Sequence, residues 1–322
     1  MTSEAVADQT QGKIALVFPG GGSQHVGMGR DVHARYPAAR QLFDEADAVL
    51  GFSLSRLCFE GPEDELDDTV NAQPAGLTAS AAILAALREQ NGDEISPAFV
   101  AGHSTGEYTA LWAAGVLDFA SALSLVRERG LLMKEAGEEQ PGTMAAVLGM
   151  DAATLQAICD EVGDVWLSND NAPGQIVIAG KKPALERALQ LAVERGAKRA
   201  VPLAVNIASH CPLMAPAAEA FAKTVEKLSM PPAAVPIVAN VSATAIAEPA
   251  ELRRELVQHI TSQVRWVESV RYMIAHGIQA FVEIGPKSVL SSLIKRIDRS
   301  VPVLSVATAK DIETVEVSRW ET

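Results

Sequence analysis

The pentapeptide Gly102-His103-Ser104-Thr105-Gly106 sits inside "VAGHSTGEYTALWAAG", where a short apolar run ending at Ala101 meets a helical pattern starting near Gly106. A serine between two glycines on a sharp strand-to-helix turn is a candidate nucleophile. The turn strains the serine backbone and points the hydroxyl outward, and the glycines leave room for close approach. The helix start adds free N–H groups and a positive dipole end, which suit an oxyanion. The alternative is that Ser104 merely caps the helix.

A serine hydroxyl is a poor nucleophile until a base removes its proton. The chain offers His25, His33, His103, His210, His259 and His276. His103 is adjacent to Ser104, so on a tight turn its ring is expected to point away. His33 and His276 lie in polar helical contexts and are expected to be solvated. His210, in "NIASHCPLM", lies on a loop that could return to the top of a sheet. Its spacing leaves open a structural, hydrogen-bonded role.

The elements that must position these groups follow from the pattern. "IALVF" (Ile14–Phe18) reads as a buried strand ended by the glycine-rich "PGGG". "PAFVAGHS" reads as a second strand. "AARQLFDEADAVLG", "QPAGLTASAAILAALREQNG", "GEYTALWAAGVL" and "FASALSLVRERGLLMKEAG" read as helices. Strands alternating with helices predict an α/β domain with a parallel sheet. From Gly142 the pattern becomes β-α-β-β-α-β, a ferredoxin-like arrangement. Asp151 is the expected N-cap of its first helix, and Pro183 falls in the first turn of its second.

The expected organisation is a disordered tail over 1–12, a large discontinuous α/β domain over 13–141 and 206–310, a small inserted domain over 142–205 and a C-terminal tail over 311–322.

Of the 322 residues, 48% are hydrophobic and 21% charged, ordinary for a globular chain, and the net charge is −13. That charge argues against nucleic acid and against docking on an anionic membrane. The polar N-terminus has no apolar signal segment, and the run "LTASAAILAAL" is too short to span a bilayer. Three cysteines (Cys58, Cys159, Cys211), none in a CxxC pair, point away from disulfides and zinc and toward the cytoplasm.

A resemblance joins these residues. "FPGGGSQHVGMG", "QPAGLTAS", "AGHSTGEYTAL", "LVRERGLLM", "SNDNAPGQIVIAG", "ASHCPLM", "QVRW" and "EIGPKSVLSSLIKR" occur in the order found in the malonyl-CoA:acyl carrier protein transacylase family. That family includes the discrete acyltransferases that serve polyketide synthases. The resemblance runs from Ile14 to about Ile297 and implies a large α/β-hydrolase-like domain with the ferredoxin-like insert.

It also implies roles. Ser104 would accept the acyl group and His210 would be the base. Gly21 and Thr105 would give the backbone N–H groups of the oxyanion hole. Arg129 would hold the free carboxylate of a dicarboxylic acyl group, as a planar guanidinium matches a carboxylate fork. Gln73, Met133, Asn169, Asn171 and Ser209 would line the pocket. The carbonyl of His259 would hold the tautomer of His210, so that no acidic third member is needed. Gly21 stands where many members carry glutamine, which a backbone donor tolerates. A small residue at Ala208 is expected to widen the pocket.

The activity so implied is ping-pong transfer from malonyl-CoA to the phosphopantetheine thiol of an acyl carrier protein, by a monomer with no bound cofactor and no metal. The rivals are an acyl-carrier-protein hydrolase and a non-catalytic docking module. Lys295, Arg296 and Arg299 are the candidate carrier-docking patch, since steering follows local field rather than net charge.

Overall fold

The computed structural model describes residues 14–92 and 95–315. The tail expected over 1–12 lies outside the described residues. The described strands are β1 (Ile14–Phe18), β2 (Phe99–Gly102), β3 (Thr143–Leu148), β4 (Val165–Ala172), β5 (Gln175–Gly180), β6 (Arg199–Pro202), β7 (Ile237–Val238), β8 (Ala245–Ile246), β9 (Ala280–Ile284) and β10 (Val303–Val306).

They form two sheets. The larger has the order β10-β9-β1-β2-β7-β8. Its first five strands are parallel, but β8 pairs antiparallel with β7. The sheet is therefore mixed, where the alternation of strands and helices predicts a purely parallel one. A two-residue strand returning through a tight turn leaves too little periodicity to read. β1 shows why its sequence is uniformly apolar. Leu16 and Phe18 enter one core with the helices Pro37–Leu50, Thr69–Asn91 and Phe119–Glu139, while Ala15 and Val17 enter another with Trp266–Ala275 and Val289–Ile297. A strand covered on both faces has no solvent side to mark with polar residues.

The helix Thr69–Asn91 starts a turn before its apolar run, because the Asp68 side chain accepts the Val70 N–H. Pro74 lies within it. Proline has no N–H to give the carbonyl four residues back. That carbonyl, on Val70, instead accepts from Arg127 Nη1 at 2.7 Å. At 23 residues the helix is long and apolar enough to cross a bilayer, contrary to the expectation from its shorter apolar run; 78% of its most apolar window is buried within the protein.

The smaller sheet has the order β4-β5-β3-β6 and is antiparallel throughout. Its elements run strand–helix–strand–strand–helix–strand, with Asp151 capping Ala152–Val162 through the Thr154 N–H. Val147, Ile158, Ile178 and Leu185 close one face as a separate core, while Met144, Val177 and Ala179 face the main one. β4 also reaches the segment before Trp266: Asp170 N–H donates to Val264 O and Val264 N–H to Ser168 O, both at 2.9 Å. β6 ends at Pro202, short of the strand expected through Val205, and residues 203–208 are irregular. Two end elements escape the sequence pattern. β10 is a half-covered edge strand, and a capped helix, Ala309–Thr314, occupies the start of the segment expected to be a tail.

The candidate site is set where β1 and β2 finish side by side. A Cβ on Gly102 would lie 1.9 Å from the carbonyl carbon of Gly106, and one on Gly106 would lie 2.1 Å from the carbonyl oxygen of Phe18. Both collisions are with backbone, so no rotamer change relieves them. Gly106→Ala should therefore cost about 3 kcal/mol or more in urea unfolding and disorder the turn. Gly21→Ala, whose Cβ would meet nothing within 4 Å, should stay within about 0.5 kcal/mol. Equal costs at the two positions would contradict the packing.

Candidate active site

Ser104 stands on the turn between β2 and the helix Gly106–Ala113 with φ 51°, and His210 has φ 60°. A non-glycine residue in the left-handed region costs about 1–3 kcal/mol and persists only where its surroundings over-determine it. Here two such residues face each other. Ser104 Oγ lies 2.8 Å from His210 Nε2, and His210 Nδ1 lies 2.8 Å from the His259 carbonyl oxygen. A carbonyl can only accept, so Nδ1 carries the proton and the Nε2 lone pair faces the serine hydroxyl. Burial, and next the Arg129 charge, pull the His210 pKa down to about 3. Its imidazole is therefore neutral near pH 7 and able to take a proton.

The N–H groups of Thr105 and Gly21 donate to no acceptor among the described residues. Thr105 is the first residue after the serine, at the helix N-cap. Gly20 packs against the turn: a Cβ there would lie 2.2 Å from His103 O and 3.4 Å from Ser104 Cβ. The turn after β1 thus brings Gly20, the neighbour of Gly21, against the serine.

Arg129, 1% exposed on the helix Phe119–Glu139, donates from Nη1 to Gln73 Oε1 at 2.7 Å. Its Nε and Nη2 are buried and have no partner among the described residues. Its guanidinium carbon lies 5.7 Å from the Tyr108 ring centroid. Met133 Sδ is 4.0 Å from Gln73 Nε2, which also donates to Thr69 Oγ1. Thr69, the partner of Gln73, helps to line a cavity of about 420 Å³ together with Lys134, Met144, Ile207 and Ser209. A guanidinium whose Nε and Nη2 are buried without a partner has the geometry that matches a planar anion with two oxygens.

Other sequence candidates have different partners. Asn171 Oδ1 lies 2.7 Å from His103 Nε2, turning that ring away from Ser104 and edge-on to Trp266. Asn169 Oδ1 accepts from Ser168 Oγ, which also donates to the Ser209 carbonyl. Asn169 and Asn171 are thus tied to neighbouring protein groups and brace the two residues next to the dyad. Ala208 does not widen the pocket: it is fully buried in the core, where a Cβ on Gly142 would come within 2.6 Å of its own. His33 is half-buried and packs edge-on to Phe43 and Phe59. His276 is exposed, stacked on Tyr272. Lys295, Arg296 and Arg299 are exposed at the end of Val289–Ile297, and Arg296 is bonded to Gln175 and Pro173.

The site also contains residues that sequence reasoning did not single out. Asn240, just past β7, accepts the Ser104 N–H at 2.9 Å. Glu107 accepts from Asn240, and Glu255 Oε1 accepts from the Val241 N–H at 2.8 Å. The His259 ring lies tilted 4.9 Å from that of His210, and its Nδ1 lies 3.9 Å from Glu107 Oε2. An asparagine closing a strand and a glutamate directly after the nucleophile turn are the only cues in the sequence.

Burial raises Glu107, with the nearby Glu255 charge adding to it. Burial pushes Glu255 from its ordinary 4.5 up to about 7. A carboxyl raised on folding gives stability that is complete below its unfolded pKa and is lost as pH rises through the folded one. Wild-type Tm should therefore lose this contribution between about pH 5 and pH 8. Glu255→Gln keeps an acceptor for Val241, so its Tm should gain on the wild type across that window. The buried histidines pull the opposite way but are common to both proteins. Parallel Tm–pH curves would contradict the assignment.

Comparison with known proteins places this geometry. Residues 15–318 match the family described as acyl transferase domain. The chain is 46% identical over 310 residues to the malonyl CoA-acyl carrier protein transacylase of Bacillus subtilis, covering 95% of this chain and 96% of that one. Among solved structures, an acyl carrier protein S-malonyltransferase from Vibrio cholerae superposes with a TM-score of 0.91 at 42% identity, over 94% of this chain and all of that one. A type II PKS acyl-carrier protein in complex with its malonyl-transacylase matches with a TM-score of 0.91 at 42% identity, over 94% of this chain and 98% of that one. The residues that form the Ser104–His210 pair and the open arginine edge thus sit in a chain that belongs to the malonyl-CoA:acyl carrier protein transacylase family.

Proposed function

We propose that this protein is an acyltransferase that moves a malonyl group from CoA to the phosphopantetheine thiol of an acyl carrier protein through an ester on Ser104. The observation that carries the substrate class is Arg129. A cation fully buried with two donors unmet is costly unless an anion completes it. A malonyl group brings a carboxylate to that edge, and an acetyl group brings none.

The steps follow from the geometry. His210 Nε2 takes the Ser104 proton as Oγ attacks the thioester carbonyl. The oxygen of the tetrahedral intermediate gathers charge at the Thr105 and Gly21 N–H groups, an arrangement worth about 3 kcal/mol. The C–S bond breaks, and the CoA sulfur leaves with the proton from His210. The carrier thiol then gives its proton to His210 and attacks the ester carbonyl, and Ser104 Oγ recovers the proton as it leaves. The His259 carbonyl keeps Nδ1 protonated throughout. Pairing of the substrate carboxylate with Arg129 offsets part of the charge that depresses His210. The base is thereby strengthened when the substrate arrives.

The reading extends to organisation. The larger sheet is the frame of an α/β-hydrolase-like domain over 13–141 and 206–310, and the β3–β6 layer is a ferredoxin-like insert over 142–205. The strand order β4-β5-β3-β6 supports the latter. Asn169 and Asn171 from this layer, and Ser209 from the large domain beside it, line the pocket wall. CoA serves as substrate, with no resident cofactor or metal assigned a step, and a cytoplasmic monomer is the working form. Lys295 and Arg299 remain the proposed contacts for the carrier, with Arg296 partly committed to the β4–β5 turn.

The test is single-turnover acylation with each CoA ester, followed by intact mass. Wild type should gain a malonyl group that maps to Ser104 and is absent in Ser104→Ala. Arg129→Ala should lose malonyl uptake by roughly two orders of magnitude, on the scale of a broken buried charge pair. Acetyl uptake should hold or improve. Parallel loss for both esters would overturn the carboxylate reading.

A further inference from the structure

Asn240 is 2% exposed and has every hydrogen-bonding group engaged. Its Nδ2 donates to Gly102 O at 2.6 Å and to Glu107 Oε2, and its main-chain N–H donates to the same Glu107 oxygen at 3.2 Å. Its carbonyl accepts the Arg265 N–H at 3.0 Å. Gly102 O and the Glu107 carboxylate are acceptors, so the amide can meet them only with its NH₂ end. That leaves Oδ1 for the Ser104 N–H, at 2.9 Å. One side chain therefore spans the turn from the residue two before the nucleophile to the nucleophile itself. It also takes up the Ser104 N–H, leaving Thr105 N–H as the free donor from the turn.

We propose that Asn240 is a positioning residue of the acyl transfer, holding the Ser104 backbone in its left-handed conformation so that Oγ meets His210 Nε2, with Glu107 fixing the amide's orientation. The inference rests on Ser104 being the acylated residue. The polypeptide here is a turn between two close-packed glycines that has no regular ladder of its own. A left-handed serine needs an outside partner for its N–H, because no carbonyl of the turn or of the helix that follows accepts it. β7 supplies that partner just past its carboxyl end. Loss of the partner frees the turn to relax and swings Oγ away from the base. A displacement near 1 Å is enough to cost about a hundredfold in rate.

The experiment uses the full chain and three proteins: wild type, Asn240→Ala and Asn240→Asp. Single-turnover acylation with malonyl-CoA is followed by mass, and folded fraction by circular dichroism. Asn240→Ala should lose roughly a hundredfold in the acylation rate, with little change in the malonyl-CoA concentration that half-saturates it, because Arg129 and Gln73 are untouched. Asn240→Asp is isosteric. A protonated carboxyl can still donate to Gly102 O or Glu107 and accept from Ser104, whereas an ionised one repels both acceptors. Glu107 and Glu255 press the new carboxyl toward its protonated form, against Arg129 and against Arg265, which is paired with Glu268; His259, beside Glu107, is held neutral by burial. Its acylation rate should therefore approach wild type at low pH and fall as pH rises, a dependence wild type lacks. If wild type acquires its label on Ser104 and Asn240→Ala acylates at the wild-type rate per folded molecule, the positioning role is overturned. A flat pH profile for Asn240→Asp overturns it equally, including where Asn240→Ala does not fold. A wild type labelled elsewhere than Ser104 would overturn the site reading itself.

Discussion

The catalytic end rests on one close backbone contact. Gly102, Gly106 and the end of β1 approach so nearly that no side chain fits between them. That contact allows β2 to turn into a helix within a few residues and forces the residue at the apex into the left-handed region. At the apex Ser104 is half-buried above the sheet, next to a helix N-terminus. His210 is held in the same uncommon conformation from the other side. Strain on both partners is tolerated because the sheet beneath them is closed by apolar packing on both faces.

Electrostatics then follow from burial. The site gathers Arg129, His210, His259, Glu107 and Glu255 where water cannot solvate them. Each is shifted toward its neutral form, and desolvation is the leading cause. For a histidine that must accept a proton, this shift is useful. For an arginine it is a cost, which the carboxylate proposed to pair with Nε and Nη2 would offset in the same low-dielectric setting. Specificity and catalysis share one physical origin.

Much of this was legible in the sequence. The apolar runs of β1 and β2, the helical periodicity of Phe119–Glu139 and the β-α-β-β-α-β order between Gly142 and Val205 locate most elements. The Gly-x-Ser-x-Gly turn locates the serine that meets His210. What periodicity leaves out is anything built from short or singly occurring residues. β8 has two residues and β10 lies at an edge, so neither has a pattern long enough to register. Ala208 reads as a pocket residue from its place before His210, yet the chain there turns its methyl into the core against Gly142. Asn240 and Glu255 have no spacing relation to Ser104; only the fold brings them beneath it. His210 could be singled out by family resemblance but not by spacing, because 106 residues separate it from the serine it touches.

The most direct measurement is a crystal structure of the enzyme acylated by malonyl-CoA and flash-cooled in the absence of carrier protein. The account predicts an ester on Ser104 Oγ, its carbonyl oxygen on the Thr105 and Gly21 N–H groups, and its carboxylate spanning Nε and Nη2 of Arg129. A malonyl carboxylate turned toward solvent, with Arg129 still bonded only to Gln73, would contradict it.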